Sequence, residues 1–373
     1  MPSTVYFSDM RANFRQNLLD KVETLLDRVG LEERIKPRDL VAIKLHFGER
    51  GNTSFIRPLF FRRIVEKVKQ LGGKPFLTDA NTLYVGSRSD SVAHTLTALE
   101  NGFSYASVGA PLIIADGLRG GSYRDVPVDG ELLKSVAIGS EIVEADALIS
   151  VAHFKGHEVT GFGGTLKNLG MGCAARKGKL EQHSGLSPKV KAKKCVGCGA
   201  CVPYCAQGAI SLIKKKSHID PDRCVGCGEC ILVCPEEAIQ IRWSESPDSL
   251  QKKMAEYTLG VLDGKREKSV FLNFLTQISP ACDCYGHCDA PIVHDIGITA
   301  STDPVAIDKA SVDLVNRGIP LANSCVGPDC GPDKFRAIYP EIDWNVQLAH
   351  AERLGLGETA YNLVTLELPQ KKE

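Results

Sequence analysis

Leu40-Val41-Ala42-Ile43 is followed by a run from Pro58 in which Ile64, Val65, Val68 and Leu71 recur, then by Gly72-Gly73 and Pro75-Phe76-Leu77-Thr78. The two flanking runs are short and apolar, as buried strands are. The run between them has the three- and four-residue steps of one helix face, opened by a proline and stopped by glycines. Strand, helix and strand at this spacing predict parallel strands joined by a right-handed crossover.

The same alternation extends in both directions. Thr4–Phe7 reads as a strand, and Phe14, Leu18, Val22, Leu25 and Val29 as a helix face ended by Gly30. A helix is expected over Ser91–Glu100. Further strands are expected at Leu112–Ala115, Ala147–Val151, Val270–Leu275, Ile292–Ile298 and Asn362–Leu368. Asp303 is placed to cap a helix that begins at Pro304, and Asp343 another that runs to Leu354. The Lys371-Lys372-Glu373 tail is expected to fray. The fold class is therefore α/β, a mostly parallel, doubly wound sheet whose domain runs over 1–188 and resumes over 244–373. The 189–243 stretch between is expected to be a small α+β insert.

That insert carries Cys195-x-x-Cys198-x-x-Cys201-x-x-x-Cys205, and the spacing returns at Cys224, Cys227, Cys230 and Cys234. Three thiolates in a tight turn plus one from a remote run is how a two-cluster bacterial-type ferredoxin holds two [4Fe–4S] centres. On that pattern Cys195, Cys198, Cys201 and Cys234 hold one cluster, and Cys224, Cys227, Cys230 and Cys205 the other. The only repeat in the chain lies here, Cys195-Val196-Gly197-Cys198-Gly199 against Cys224-Val225-Gly226-Cys227-Gly228. Pro235 follows Cys234, whereas Ala206 follows Cys205.

Composition narrows the setting. At 373 residues the chain has room for two or three domains. Lys plus Arg equals Asp plus Glu, 45 each, so no global field points to nucleic acid, and no basic–aromatic stripe is present. Locally, the stretch from Lys189 to Arg223 is basic, with Lys214-Lys215-Lys216 between the cysteine groups. Such a stretch would steer an acidic redox partner of the ferredoxin or flavodoxin kind, or dock an acceptor enzyme. No apolar run is long enough to span a membrane, and Met1–Arg11 lacks the basic-then-apolar pattern of a signal peptide. Cluster thiolates need a reducing compartment, so the expected place is the cytoplasm of an anaerobe or facultative anaerobe.

Ligands of open parallel sheets bind outside the carboxyl ends of the strands. Polar residues stand at those ends in turn: Lys44, His46, Glu49 and Asn52; Asp79 and Asn81; Asp116; then His153, Lys155 and His157. Taken singly, each is as readily a cap or a satisfied hydrogen-bonder. The glycine-rich run Gly161–Cys173 matches neither a Walker loop nor the dinucleotide fingerprint; its backbone is a candidate anion nest, or a tight connection. His153, Lys155, His157, Lys167, Asn168 and His183 are the catalytic candidates, because a two-electron reduction needs protons as well as electrons. No nicotinamide or flavin fingerprint accompanies them.

Six further cysteines remain. Cys282, Cys284 and Cys288 crowd one loop, where a third Fe–S cluster or zinc, completed by His287 or a remote cysteine, is the first expectation, inert cysteines the second and a redox-active thiol pair the third. Cys173, Cys325 and Cys330 carry no comparable pattern.

These residues are familiar as a set. Lys155-Gly156-His157, Thr165-Leu166-Lys167-Asn168-Leu169-Gly170, Cys282-Asp283-Cys284 and Ser301-Thr302-Asp303-Pro304-Val305-Ala306-Ile307-Asp308 resemble the iron–sulfur-centre proteins built on domain of unknown function 362. The resemblance spans both sides of the insert and implies an Fe–S protein. The expected function is electron transfer to a substrate or partner in the α/β crevice, as a reductase or reductive activator. The alternative is a non-catalytic relay that docks a larger redox complex.

Overall fold

The computed structural model describes residues 2–184 and 187–367. Its centre is an eight-stranded sheet. In chain order the strands are β1 (Ser3–Asp9), β2 (Leu40–Lys44), β3 (Lys74–Asp79), β4 (Leu112–Ile114), β5 (Ala147–His153), β6 (Ser269–Leu275), β7 (Gly297–Ser301) and β8 (Tyr361–Thr365). In space they run β8-β1-β7-β6-β5-β2-β3-β4. Five pairings are parallel, and only β7 runs against both its neighbours, β1 and β6.

Both faces of the sheet are buried, so its strands read as continuous apolar runs rather than alternating ones. Val41 and Ile43 of β2 point into one core and Ala42 into the other. Helices Leu18–Arg28 and Pro58–Gln70 cover the first face. Helices Pro247–Leu262 and Pro304–Arg317 cover the second. Each fully buried Val, Ile or Leu on these strands contributes roughly 1.5–3 kcal/mol. Sequence order reverses between β2 and β5, neighbours in space joined through a long excursion. That is the switch point at which such sheets open a crevice.

The first helix begins at Leu18 rather than at Phe14. Asn17 accepts the backbone N–H groups of Leu19 and Asp20 and starts the helix there, which leaves Phe14 85 % exposed. The strand expected over Ile292–Ile298 begins only at Gly297. Its first half is a return loop, bonded from Ile292 N–H to the Ile278 carbonyl and from Gln277 N–H to Asp295. The last strand is Tyr361–Thr365; Leu368 and the Lys371–Glu373 tail lie outside the described residues.

The 189–243 stretch adds no strand to the central sheet. It forms two small antiparallel pairs, Lys189–Val190 with Ile239–Gln240 and Ile210–Ile213 with Lys216–Ile219. It has its own core, in which Cys201, Cys230, Ile210, Ile231 and Ile239 meet Leu83 and Leu180 of the larger body.

Candidate functional site

At the switch point lies a cavity of about 620 Å3. Lys44 and His46 reach it from the end of β2, Asp79 from β3, and Lys155 and His157 from the segment after β5. Lys167, Asn168, Lys179 and His183 enter from two short helices, Thr165–Gly170 and Arg176–His183. Cys282 and Cys284 enter from the loop after β6. Lys44, His46, Asp79, Lys155 and His157 are thus the half of the strand-end polar residues that line it.

The loop that carries the two cysteines is pinned through the residue between them. Asp283 is fully buried. His153 Nδ1 lies 2.9 Å from both its carboxylate oxygens, Lys155 Nζ donates to it at 3.1 Å and Ser54 Oγ at 3.1 Å. Burial alone would raise its carboxyl, but His153 and Lys155 outweigh that and hold it well below the usual carboxylate range. Around it the backbone is tied down. Glu49 N–H donates to the Asp283 carbonyl, Asn52 Nδ2 to the carbonyls of Tyr285 and His287, and Tyr84 Oη to that of Cys284. Tyr285 N–H closes the turn onto the Cys282 carbonyl at 3.2 Å.

With Asp283 held in this bed, the flanking thiols face the cavity together, Sγ to Sγ 3.1 Å apart. Lys167 Nζ is 3.4 Å from Cys282 Sγ and His46 Nε2 is 3.5 Å from Cys284 Sγ. His46 Nδ1 accepts Gly48 N–H, so the neutral ring carries its proton on Nε2 and donates to Cys284. The Cys282 S–H bond first, then His46 and Lys167, hold the Cys284 thiol well below its ordinary range despite burial; the same bond and burial push Cys282 up. Burial would lower Lys167, but the two thiols raise it, and it stays an ammonium. His157 Nδ1 accepts the N–H groups of Val159 and Thr160; burial and Lys167 push this imidazole well below its usual range, which leaves it neutral. His183 packs edge-on against Trp243 and is pushed down to about 4 by burial and Lys167.

Not every expected residue lines the cavity. His153 faces away, with Nε2 on the Thr276 carbonyl; it acts by holding Asp283, because β5 ends there and the chain turns at Phe154 into a hairpin, Lys155–His157 with Gly161–Gly163. Glu49 is bonded to Arg88, while Asn81 N–H and Nδ2 both donate to Asp116 below the cavity floor. The glycine-rich run is no open anion nest. It forms one hairpin strand and one helix, and the Asp308 carboxylate already accepts the first helical N–H groups, Thr165 at 2.7 Å and Leu166 at 2.9 Å.

Cys288 leaves the site as well. Its Sγ sits 3.1 Å from Thr53 Oγ1, and it does not line the cavity. Cys282 and Cys284 thus line the cavity while Cys288 lies against Thr53. Among the described residues no three or more His, Cys, Asp or Glu side chains close around one point tightly enough for a single metal ion. Cys173 is buried behind Asn168 with its thiol pushed up to about 11, and Cys325 and Cys330 lie away from the cavity. Arg88, Tyr84, Lys179, Tyr285 and Trp243 were not among the expected residues. They come from loops and a helix without strand-end periodicity, where no local pattern marks them.

The 189–243 stretch borders a second, smaller cavity of about 180 Å3. Cys224, Cys227 and Cys230 line it together with Cys205 from the other run. Backbone N–H groups point at the sulfurs of both runs: Ala209 at Cys205, Ala238 at Cys234 and Ser217 at Cys195, each at 3.2–3.3 Å. Ser217 Oγ also touches Cys201 Sγ, at 3.2 Å. Gly197, Gly199, Gly226 and Gly228 all have positive φ, which lets the chain wrap inside each run. A four-thiol cavity with an N–H donor suits a [4Fe–4S] centre, whose four cysteines would each bind a different iron and so stand farther apart than ligands of one ion. Leu83 lines the larger cavity and also packs in the core of the 189–243 stretch.

Known proteins resemble the chain as follows. Thylakoid-associated protein sll1697 of Synechocystis is 29 % identical over 171 residues, which cover 45 % of this chain and 49 % of that protein; the chain thus spans about half of that relative's length. Among solved structures, the lactate racemase apoprotein of Thermoanaerobacterium thermosaccharolyticum aligns over 81 % of this chain and 54 % of its own, at 13 % identity and a TM-score of 0.38. A Thermotoga maritima protein aligns over 68 % and 50 %, at 11 % identity and 0.35. The family model described as Domain of unknown function (DUF362) matches residues 41–313, from β2 through β7 and into the helix that follows it, and the chain belongs to that family.

Proposed function

We infer that this chain is an iron–sulfur electron-transfer protein. In this reading Cys224, Cys227, Cys230 and Cys205 hold one [4Fe–4S] cluster, and Cys195, Cys198, Cys201 and Cys234 the other. The bound clusters supply single low-potential electrons. The observation that carries the reading is the convergence of Cys205 with the three cysteines of the later run around one cavity. The larger crevice is then the destination, because Leu83 lines it and packs in the cysteine core as well.

The residues of the crevice support a reductase or reductive activator over a passive relay. Lys167 and Lys155 supply ammonium groups beside the buried loop, and His46 offers an Nε2 proton toward the cavity's sulfur. A relay has no use for a cavity of this size lined by buried ionisable groups. Lys191, Lys193, Lys194 and the Lys214–Lys216 run are exposed, and they suit docking of an acidic redox protein. No helix among the described residues is long and apolar enough to cross a membrane.

Iron and acid-labile sulfide per chain, measured after anaerobic purification together with EPR of the reduced protein, test the reading. About eight irons are expected for two cubane clusters. A count near zero in the intact anaerobic protein overturns it.

A further inference from the structure

The mechanism so far leaves the end of the electron path unnamed. Two thiols stand 3.1 Å apart in the crevice, whose lining includes Leu83 of the cysteine core. We propose that Cys282 and Cys284 form a reversible dithiol–disulfide couple that takes up two electrons from the iron–sulfur centres. The proposal rests on the cluster reading above.

Geometry carries it. A disulfide needs the two sulfurs to close from contact to about 2.05 Å, a movement of about 1 Å that two χ1 rotations can supply. Asp283 between them is anchored by His153, Lys155 and Ser54, which keeps the two cysteines side by side. The third cysteine of the loop contacts Thr53 and does not line the crevice. A thiol pair kept only as packing would not be aimed into a large cavity beside an ammonium and an imidazole N–H. Those two groups answer the needs of the reaction. When the S–S bond breaks, the electron pair leaves negative charge on sulfur, which Lys167 at Cys282 and His46 at Cys284 are placed to stabilise.

The step balances as a half-reaction. The disulfide bond accepts two electrons, delivered singly by the one-electron iron–sulfur donors, and one proton. The products are the Cys282 thiol and the Cys284 thiolate. Reoxidation returns the two electrons and the proton and re-forms the bond. The couple thereby turns single electrons into a pair, which a disulfide substrate entering the crevice can accept by thiol–disulfide exchange.

A stoichiometric reductive titration of the full chain tests the couple. The protein is first treated with oxidised glutathione and desalted under argon, and its iron content is measured. Reduced methyl viologen is then added in steps while cluster absorbance is followed, and acid-quenched samples are alkylated for peptide mass analysis. Wild type should take up about four electrons per chain, one for each cluster and two for the disulfide. The Cys282–Cys284 peptide should gain two alkylated thiols over the titration. Cys282→Ser and Cys284→Ser, shown by mass to carry no glutathione on the remaining thiol, should each take up about two electrons with unchanged iron. Equal uptake of about two electrons by wild type and both variants, at full iron content, would overturn the couple and leave the cluster reading standing. Iron near zero would remove both, and thiol recovery as fast in chelator-stripped protein would overturn the cluster route to the pair.

Discussion

Lys179 lies on the wall of the larger cavity with its ammonium on the Ala174 carbonyl. Burial brings it down to about 8, although Asp116 and Asp79 nearby act in the opposite sense. In the unfolded chain the group titrates near its ordinary value of about 10.4. Between about pH 8 and 10.4 the unfolded chain therefore holds a proton that the folded chain has released, so stability rises with pH through that window. The rise attributable to this one group is on the order of 3 kcal/mol at most. Lys179→Met lacks it. Urea unfolding of both proteins at several pH values should show wild type gaining on the variant from pH 8 upward, and parallel curves would remove Lys179 as the cause. Below pH 8 the same ammonium adds positive charge beside Lys44 and Lys167, which makes the crevice more attractive to an anion.

The helix Thr165–Gly170 has only six residues and cannot stand by itself. It is set by what receives its two ends. At its start the Asp308 carboxylate accepts Thr165 N–H, Leu166 N–H and Asn273 Nδ2, all buried. At its end Gly170 lies so close under the Met254 carbonyl that a Cβ there has no room. Asp308→Ala would strand three buried donors and should destabilise the protein by roughly 2–4 kcal/mol, read as a lower urea midpoint at unchanged slope. It should also disorder Lys167 and Asn168, seen as faster amide exchange across 165–170. An unchanged midpoint would mean that water replaces the carboxylate. Much of this was not legible in sequence. The segments Thr165–Gly170 and Ser301–Asp308 stand out as motifs, yet nothing local says that the second caps the first across 143 positions. His153 shows the same limit. Its spacing to Lys155 and His157 suggests three residues on one mouth, but the turn at Phe154 sends it beneath the loop instead. The strand ends were readable because parallel pairing needs only local apolar runs, and the crevice follows from the topology those runs impose.

At the scale of the molecule, the two apolar cores on either face of the sheet contain no residue of the 189–243 stretch, whereas the third core contains little else. That stretch has few strands, all short, and a core of seven fully buried residues, two of them borrowed from outside. So small a core is marginal without a staple, and on the cluster reading bound metal supplies it. Removing iron with a chelator under denaturant-free conditions should therefore unfold the insert alone. Two observables follow: a lower-temperature calorimetric transition that disappears with iron, and trypsin cleavage confined to the lysines between Lys189 and Lys216 while the eight-stranded body survives. The body should keep its melting temperature to within a few degrees, because its strands pair only with one another. Coupling between the two units runs through Leu83 and Leu180, Arg119 over the Tyr204 ring and His183 against Trp243, which lose their partners when the insert opens. A single cooperative transition that shifts as a whole on iron removal would show instead that this seam is strong enough to make body and insert fold as one.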